Sequence, residues 1–204
     1  FRNTLGSEEK TLEEETGVDA YDMLTEKASE VAAGSEGLLF LPYLTGERTP
    51  YPDPDAKGAF VGLTLRHSKA HMTRAVLEGV TYGLRDGFEL MRNLGIKPSQ
   101  VRAAGGGAKS KFWLQLLADN FDSQIITVNA TEGAAYGAAL LAGVGTGVYN
   151  SVEDACEKTI KITGESQPGS DKKVYEDFYP HYRSLYPALK NEFSSLTQTV
   201  EKHL

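Results

Sequence analysis

The sequence predicts an α/β fold with a largely parallel central sheet. Two observations carry this. From Gln100 to Ala142, strand-like and helix-like stretches alternate, which is the pattern of βαβ units. Ahead of them, short apolar runs at 38–41 and 58–64 precede a long amphipathic stretch, so strand and helix again adjoin in sequence.

Taken in order, 11–33 is polar with spaced apolar positions: Leu12, Val18, Tyr21, Leu24, Ala28 and Val31. That suits one or two surface helices, broken by Gly34 and Gly37. Leu38–Leu41 is continuously apolar, as a buried strand is. Pro42, Gly46, Pro50, Pro52 and Pro54 make 42–57 an ordered loop, because proline lacks the donor that helix and central strand need. Gly58–Thr64 has strand character. Ser68 is placed to cap a helix from Lys69 to Asn93. Its apolar positions Met72, Val76, Val80, Leu84, Phe88 and Met91 recur every three or four residues, and Gly95 and Pro98 end it. A strand at 100–104, a glycine turn at 105–107, a helix at 110–120, a strand at 124–128 and a small-residue helix at 132–142 follow. Gly143–Gly147 reads as a loop, 159–162 as a last short strand, and 171–204 as an aromatic-rich helical tail.

The 204 residues are 40% hydrophobic, enough for one large domain or two small ones. A net charge of −7 argues against nucleic acid or an anionic membrane as main partner, since both favour basic surfaces. Cys156 is the only cysteine, so no internal disulfide can form, and a reducing, cytoplasmic setting is expected. No apolar run approaches a membrane span, and no secretory leader is expected. The chain begins at Phe1, and 1–10 reads as the middle of something longer, so a fragment or a cleaved product is expected.

The segment 101–110 has the most chemical content. A strand runs into Gly105, Gly106 and Gly107, then Ala108, Lys109 and Ser110 at a helix start. Glycines let a flat or charged ligand approach the main chain, and a helix start offers free N–H donors. Open α/β sheets bind ligands beyond the carboxyl ends of their strands. The spacing is neither that of a P-loop nor of the dinucleotide fingerprint, and a plain structural turn is the other reading. In 131–142, small residues permit close packing on a sheet or a nucleotide. Gly137 inside that helix costs up to about 1 kcal/mol against alanine, which suggests a contact that tolerates no side chain. Glu47, Arg48, Thr49 and Pro50 stand in a proline-stiffened loop that can present charge to a ligand or another domain, or be plain surface. His67 and His71 lie four apart without further ligands, so no metal site is expected. Trp113 reads as core, and Lys109 and Lys111 as solvated charges. No Ser–His–Asp set and no poised carboxylate is legible, so no catalytic residue is assigned.

Together these segments resemble the FGGY carbohydrate kinases. Gly58–Leu63, then seven residues, then His71–Glu78 is similar to that family's second signature, with its spaced glycines, His71, small Ala75 and acidic Glu78. Gly105–Ser110 followed by Trp113 looks like the family's adenine-site loop. The stretch 41–50 is similar to the xylulokinase form of its proline loop, with Thr49 where gluconate kinases tend to carry alanine. The resemblance covers 1–149 and, more loosely, the rest.

It implies an RNase H-like domain of the actin/hexokinase/Hsp70 ATPase superfamily with extra helices. The chain would be the C-terminal, ATP-side domain (1–204, N-terminally truncated), with 165–204 as its helical tail. Gly105, Gly106, Gly107, Ala108 and Ser110 would bind nucleotide, Gly106 and Gly107 lining the adenine. Ser110 stands where relatives often place an adenine- or ribose-contacting asparagine, a departure from the pattern. Glu47, Arg48, Thr49 and Pro50 would face the cleft or another domain. Phe1 and Arg2 look like the end of a family Gln-Trp-Phe-Arg stretch. ATP and Mg²⁺ are the implied cofactors, and D-xylulose the implied substrate, bound through an N-terminal domain that carries the catalytic aspartate. A homodimer stays open. The fragment alone is expected to be inactive. The alternatives are a kinase for gluconate, ribulose or glycerol, and a non-catalytic nucleotide-binding module.

Overall fold

The computed structural model describes every residue except 97, 99, 131, 132 and 204. The chain opens with three helices, α1 (Arg2–Leu5), α2 (Ser7–Thr16) and α3 (Ala20–Ser29). α3 starts where Asp19 Oδ1 accepts the Tyr21 N–H at 2.7 Å, which satisfies a free helix donor. It buries Ala20, Leu24 and Ala28, whereas Leu12, Val18 and Tyr21 of the expected apolar set are exposed.

β1 (Leu39–Leu41) is buried throughout and pairs antiparallel with β2 (Ala59–Val61), Leu39 opposite Val61 and Leu41 opposite Ala59. α4 (Lys69–Asn93) has the predicted bounds, and Ser68 and His71 cap it reciprocally. It lies directly on β1: a Cβ at Gly79 would sit 2.1 Å from the Phe40 carbonyl oxygen, so only glycine permits that approach.

β3 (Val101–Ala103), α5 (Lys111–Phe121) and β4 (Ile125–Val128) form a βαβ unit whose strands pair in parallel, Val101 opposite Ile125. α6 (Gly133–Gly145) and α7 (Val152–Thr159) lead to β5 (Ile162–Ser166), which pairs antiparallel with β4. The sheet order is β3-β4-β5, with β1 and β2 as a separate ribbon. Among the pairings between described strands, only β3 with β4 is parallel, which corrects the largely parallel expectation. One helix joins β3 to β4 as a parallel crossover requires, but two joined helices separate β4 from β5, which then runs against its neighbour. Two boundaries also differ. α6 continues through Gly143 and Gly145, where a loop was expected, and Thr159 ends a helix rather than opening a strand. The expected small-residue segment begins at Thr131 and Glu132, which lie outside the described residues.

α8 (Lys172–His203) buries Tyr175, Tyr179, Tyr182, Tyr186 and Phe193, one face at three- to seven-residue spacing. The core joins these rings to Leu39 and Leu41 of β1 and to Leu77 and Tyr82 of α4. Their hydroxyls need partners once buried. Tyr175 donates to Glu78 Oε1 (3.2 Å), Tyr179 to Asp86 Oδ1 (2.6 Å) and Tyr186 to Asp53 Oδ2 (2.6 Å). The buried side of α4 accordingly carries Arg74, Glu78, Thr81 and Asp86. The apolar stripe read from its sequence lies elsewhere. Of those six positions only Phe88 is buried, while Val76, Leu84 and Met91 border open cavities.

Candidate functional site

β3 ends one residue short of the glycine turn, which places that turn at the carboxyl end of a parallel strand. Gly105 has φ 85° and ψ −171°, a conformation essentially restricted to glycine. Gly106–Lys109 make a single 3₁₀ turn, and Ser110 Oγ caps α5 by accepting the Trp113 N–H at 3.3 Å. A Cβ on Gly106 would meet nothing within 4 Å, and one on Gly107 would only touch the Trp113 indole at 3.7 Å. The two residues therefore present bare main chain.

That main chain forms one wall of a cleft of about 680 Å³, with Lys109, Ser110 and Trp113 beside it. Phe1 and Arg2, the α3 side chains of Tyr21, Asp22 and Thr25, and Thr73 and Val76 of α4 complete it. The volume suits a ligand of nucleoside size. Of the five expected nucleotide residues, Gly106, Gly107 and Ser110 line the cleft. Gly105 does not; it sets the turn. Ala108 borders a neighbouring apolar groove with Leu84, Phe88 and Met91. Trp113 does both things the sequence set in opposition: it packs on the core and lines the cleft. The α3 and α4 walls were not found from sequence, because Tyr21 and Val76 look like ordinary packing positions.

The small-residue helix does not join the site. α6 packs against α7, and only Leu140 is buried among its described residues. A Cβ on Gly137 would meet no protein atom within 4 Å, so packing against the sheet does not account for this glycine.

The proline loop is held by its own polar groups. Glu47 and Asp53 exchange main-chain hydrogen bonds of 2.9 and 3.0 Å. Glu47 Oε1 accepts the N–H groups of Arg48 (2.6 Å) and Thr49 (2.9 Å), and the Thr49–Pro50 peptide is cis. Tyr51 stacks on Tyr186 at 4.1 Å. The Tyr186 hydroxyl, with the Asp55 N–H, holds the Asp53 carboxyl below the usual aspartate range. Glu47 and Arg48 line an open polar concavity with Thr45 and Asp53, while Thr49 and Pro50 do not. It shares no lining residue with the glycine cleft, so the two candidate sites are not brought together.

His71 is occupied at the α4 cap, and its Nε2 lies 3.7 Å from Glu36. Among the described residues, no group of three or more His, Cys, Asp or Glu side chains is placed to hold a metal ion. No described helix is long and apolar enough to cross a membrane.

Solved sugar-kinase structures share the fold that places this cleft. The ligand-bound xylulose kinase from Lactobacillus acidophilus matches with a TM-score of 0.81 and 31% identity, over 96% of this chain and 38% of that one. The fold is that of the actin/hexokinase/Hsp70 ATPase superfamily. The chain belongs to the FGGY family of carbohydrate kinases, whose C-terminal domain matches residues 2–146. A xylulose kinase from Staphylococcus epidermidis is 40% identical over 88% of this chain and 36% of its own length. A gluconokinase from Bacillus subtilis is 38% identical over 96% of this chain and 38% of its own. The chain thus spans little more than a third of the length of these relatives.

Within the structure, the signature residues at 71–78 serve the fold. His71 caps α4, Ala75 is buried at 1% exposure, and the Glu78 carboxylate joins α4 to α8 and to the Gly34–Ser35 turn.

Proposed function

We propose that this chain is the nucleotide-binding part of a carbohydrate kinase that transfers the γ-phosphate of ATP to D-xylulose, giving D-xylulose 5-phosphate. The observation that carries the reading is the bare main chain of Gly106 and Gly107 facing a nucleoside-sized cleft at the end of β3. A flat base can lie against such a wall at van der Waals distance, where any side chain would stand in its place. Ser110 Oγ accepts the Trp113 N–H at the α5 cap, which fixes the hydroxyl beside the cleft and leaves its O–H free to donate to the ligand. In phosphoryl transfer the protein chiefly positions groups and stabilises charge. This chain supplies the positioning of the base. The acceptor-hydroxyl base and the sugar pocket belong, in this reading, to an N-terminal region like the one that makes up the rest of the relatives' length. Mg²⁺ would be carried mainly by the phosphates, which is how that ion is usually held. The working compartment would be the cytoplasm.

Xylulose is favoured by Thr49 in the proline loop and by the xylulose kinases among the relatives. Gluconate is the second reading, because a gluconokinase matches nearly as well and over more of the chain. An ADP-release assay with D-xylulose, D-gluconate, D-ribulose and glycerol separates them. Run on the chain alone and on a longer protein that carries it, the assay should give turnover only with the latter, and fastest with D-xylulose. Turnover by the chain alone would overturn the division of labour, and a preference for gluconate would overturn the substrate.

A further inference from the structure

We infer that Tyr21 and Arg2 form a stacking platform for the nucleobase, so that the base is held between this aromatic–cationic face and the bare main chain of Gly106 and Gly107. The inference rests on the nucleotide reading above and assigns the wall of the cleft that the glycine loop does not supply.

Tyr21 is 57% exposed although it sits in a helix whose Ala20, Leu24 and Ala28 are buried. The packing of α3 therefore does not use the ring, which instead lines the glycine cleft. The Arg2 guanidinium lies over it, 4.9 Å from the ring centroid, within cation–π range. Arg2 also lines the cleft, and its Nη1 lies 3.7 Å from Glu13. A planar cation stacked on an aromatic ring offers a flat, polarisable face that suits a heterocycle.

Charge orients the ligand. Asp19 and Asp22 border the Tyr21 wall, whereas Lys109 stands on the glycine wall. Two carboxylates repel a polyphosphate, so the uncharged base and not the phosphate tail belongs against Tyr21.

The test uses Trp113, the single tryptophan of the chain, whose indole lines the cleft beside Gly107 and reports occupancy by fluorescence. The full chain is titrated with ATP and with base-free ribose 5-triphosphate. Tyr21→Ala should weaken ATP about tenfold or more, as loss of base stacking does, and leave the base-free compound unchanged. Tyr21→Phe should keep the ATP affinity, because the ring and not the hydroxyl is used. Melting of both variants should match the unaltered chain, since the residue is exposed. Equal ATP affinity for Tyr21→Ala and the unaltered chain, while Gly106→Val still weakens ATP, would overturn the platform and leave the nucleotide reading standing. Equal weakening of both ligands by Tyr21→Ala would also overturn it, since a distorted cleft would then be the cause. No ATP binding by the unaltered chain would overturn both readings.

Discussion

Replacing Glu78 by alanine should unfold this domain more readily than any surface change. Its carboxylate is 1% exposed and accepts four hydrogen bonds: from Gly34 N (2.9 Å), Ser35 Oγ (2.9 Å), Arg74 Nε (2.8 Å) and Tyr175 OH (3.2 Å). These donors come from the turn before β1, from α4 itself and from α8, so one side chain ties three segments. Alanine removes the close counter-charge of the 3%-exposed Arg74, leaving it only Asp171 Oδ2 at 4.0 Å, and orphans three further donors. Arg74 keeps the Val31 carbonyl, the Tyr175 hydroxyl and the face of Phe112, which limits the loss. Breaking a buried pair from one side typically costs about 3–5 kcal/mol. For a chain of this size that is roughly 6–20 °C in melting temperature. It is also a large share of the roughly 5–15 kcal/mol that holds a domain folded. Thermal and urea unfolding followed by circular dichroism measure it. Glu78→Gln, which keeps the shape but not the charge, should fall between alanine and the unaltered chain. The double replacement Arg74→Met, Glu78→Leu should be less destabilising than Glu78→Ala, because no charge is left buried alone. A loss within about 0.5 kcal/mol for Glu78→Ala, the range of ordinary surface changes, would show that this carboxylate does not tie the three segments together.

Gly105→Ala should lower stability by about 1–3 kcal/mol through backbone strain alone, since its φ is 85° and no atom crowds the site. Gly106→Ala, free of both strain and neighbours, should stay within about 0.5 kcal/mol in the same melts; equal losses at the two positions would contradict the division of roles. Burial holds the Asp86 carboxyl above the usual aspartate range, although Tyr179 and Arg183 pull it down. The folded state then binds this proton more tightly than the unfolded one, so the group's contribution to stability falls as pH rises through the window above the ordinary aspartate value. Asp86→Asn should flatten that part of the stability–pH curve, and an unchanged slope would show that Asp86 titrates normally.

The elements that could be read from sequence are those whose signals are local. α4 was legible end to end because Ser68, the three-to-four-residue period and Gly95 all act within a few residues. The glycine turn and the cap of α5 were legible for the same reason. Strand direction was not, because pairing depends on how many helices intervene and where they dock. The buried side of α4 was misread because its partners are tyrosine hydroxyls far along the chain, which call for Arg74, Glu78 and Asp86 rather than for an apolar stripe. Half of the cleft stayed hidden for a related reason. Tyr21 carries no sign in sequence that its ring is left open.

In the proposed site, nucleotide lies against Gly106 and Gly107. The direct measurement is calorimetric titration of ATP into the chain and into Gly107→Trp, whose side chain would project beside Trp113 and fill the wall. The unaltered chain should bind, and the variant should bind at least about tenfold more weakly, a difference of roughly 1.4 kcal/mol, with both proteins folded. Equal affinities would contradict it and reduce the three glycines to a turn.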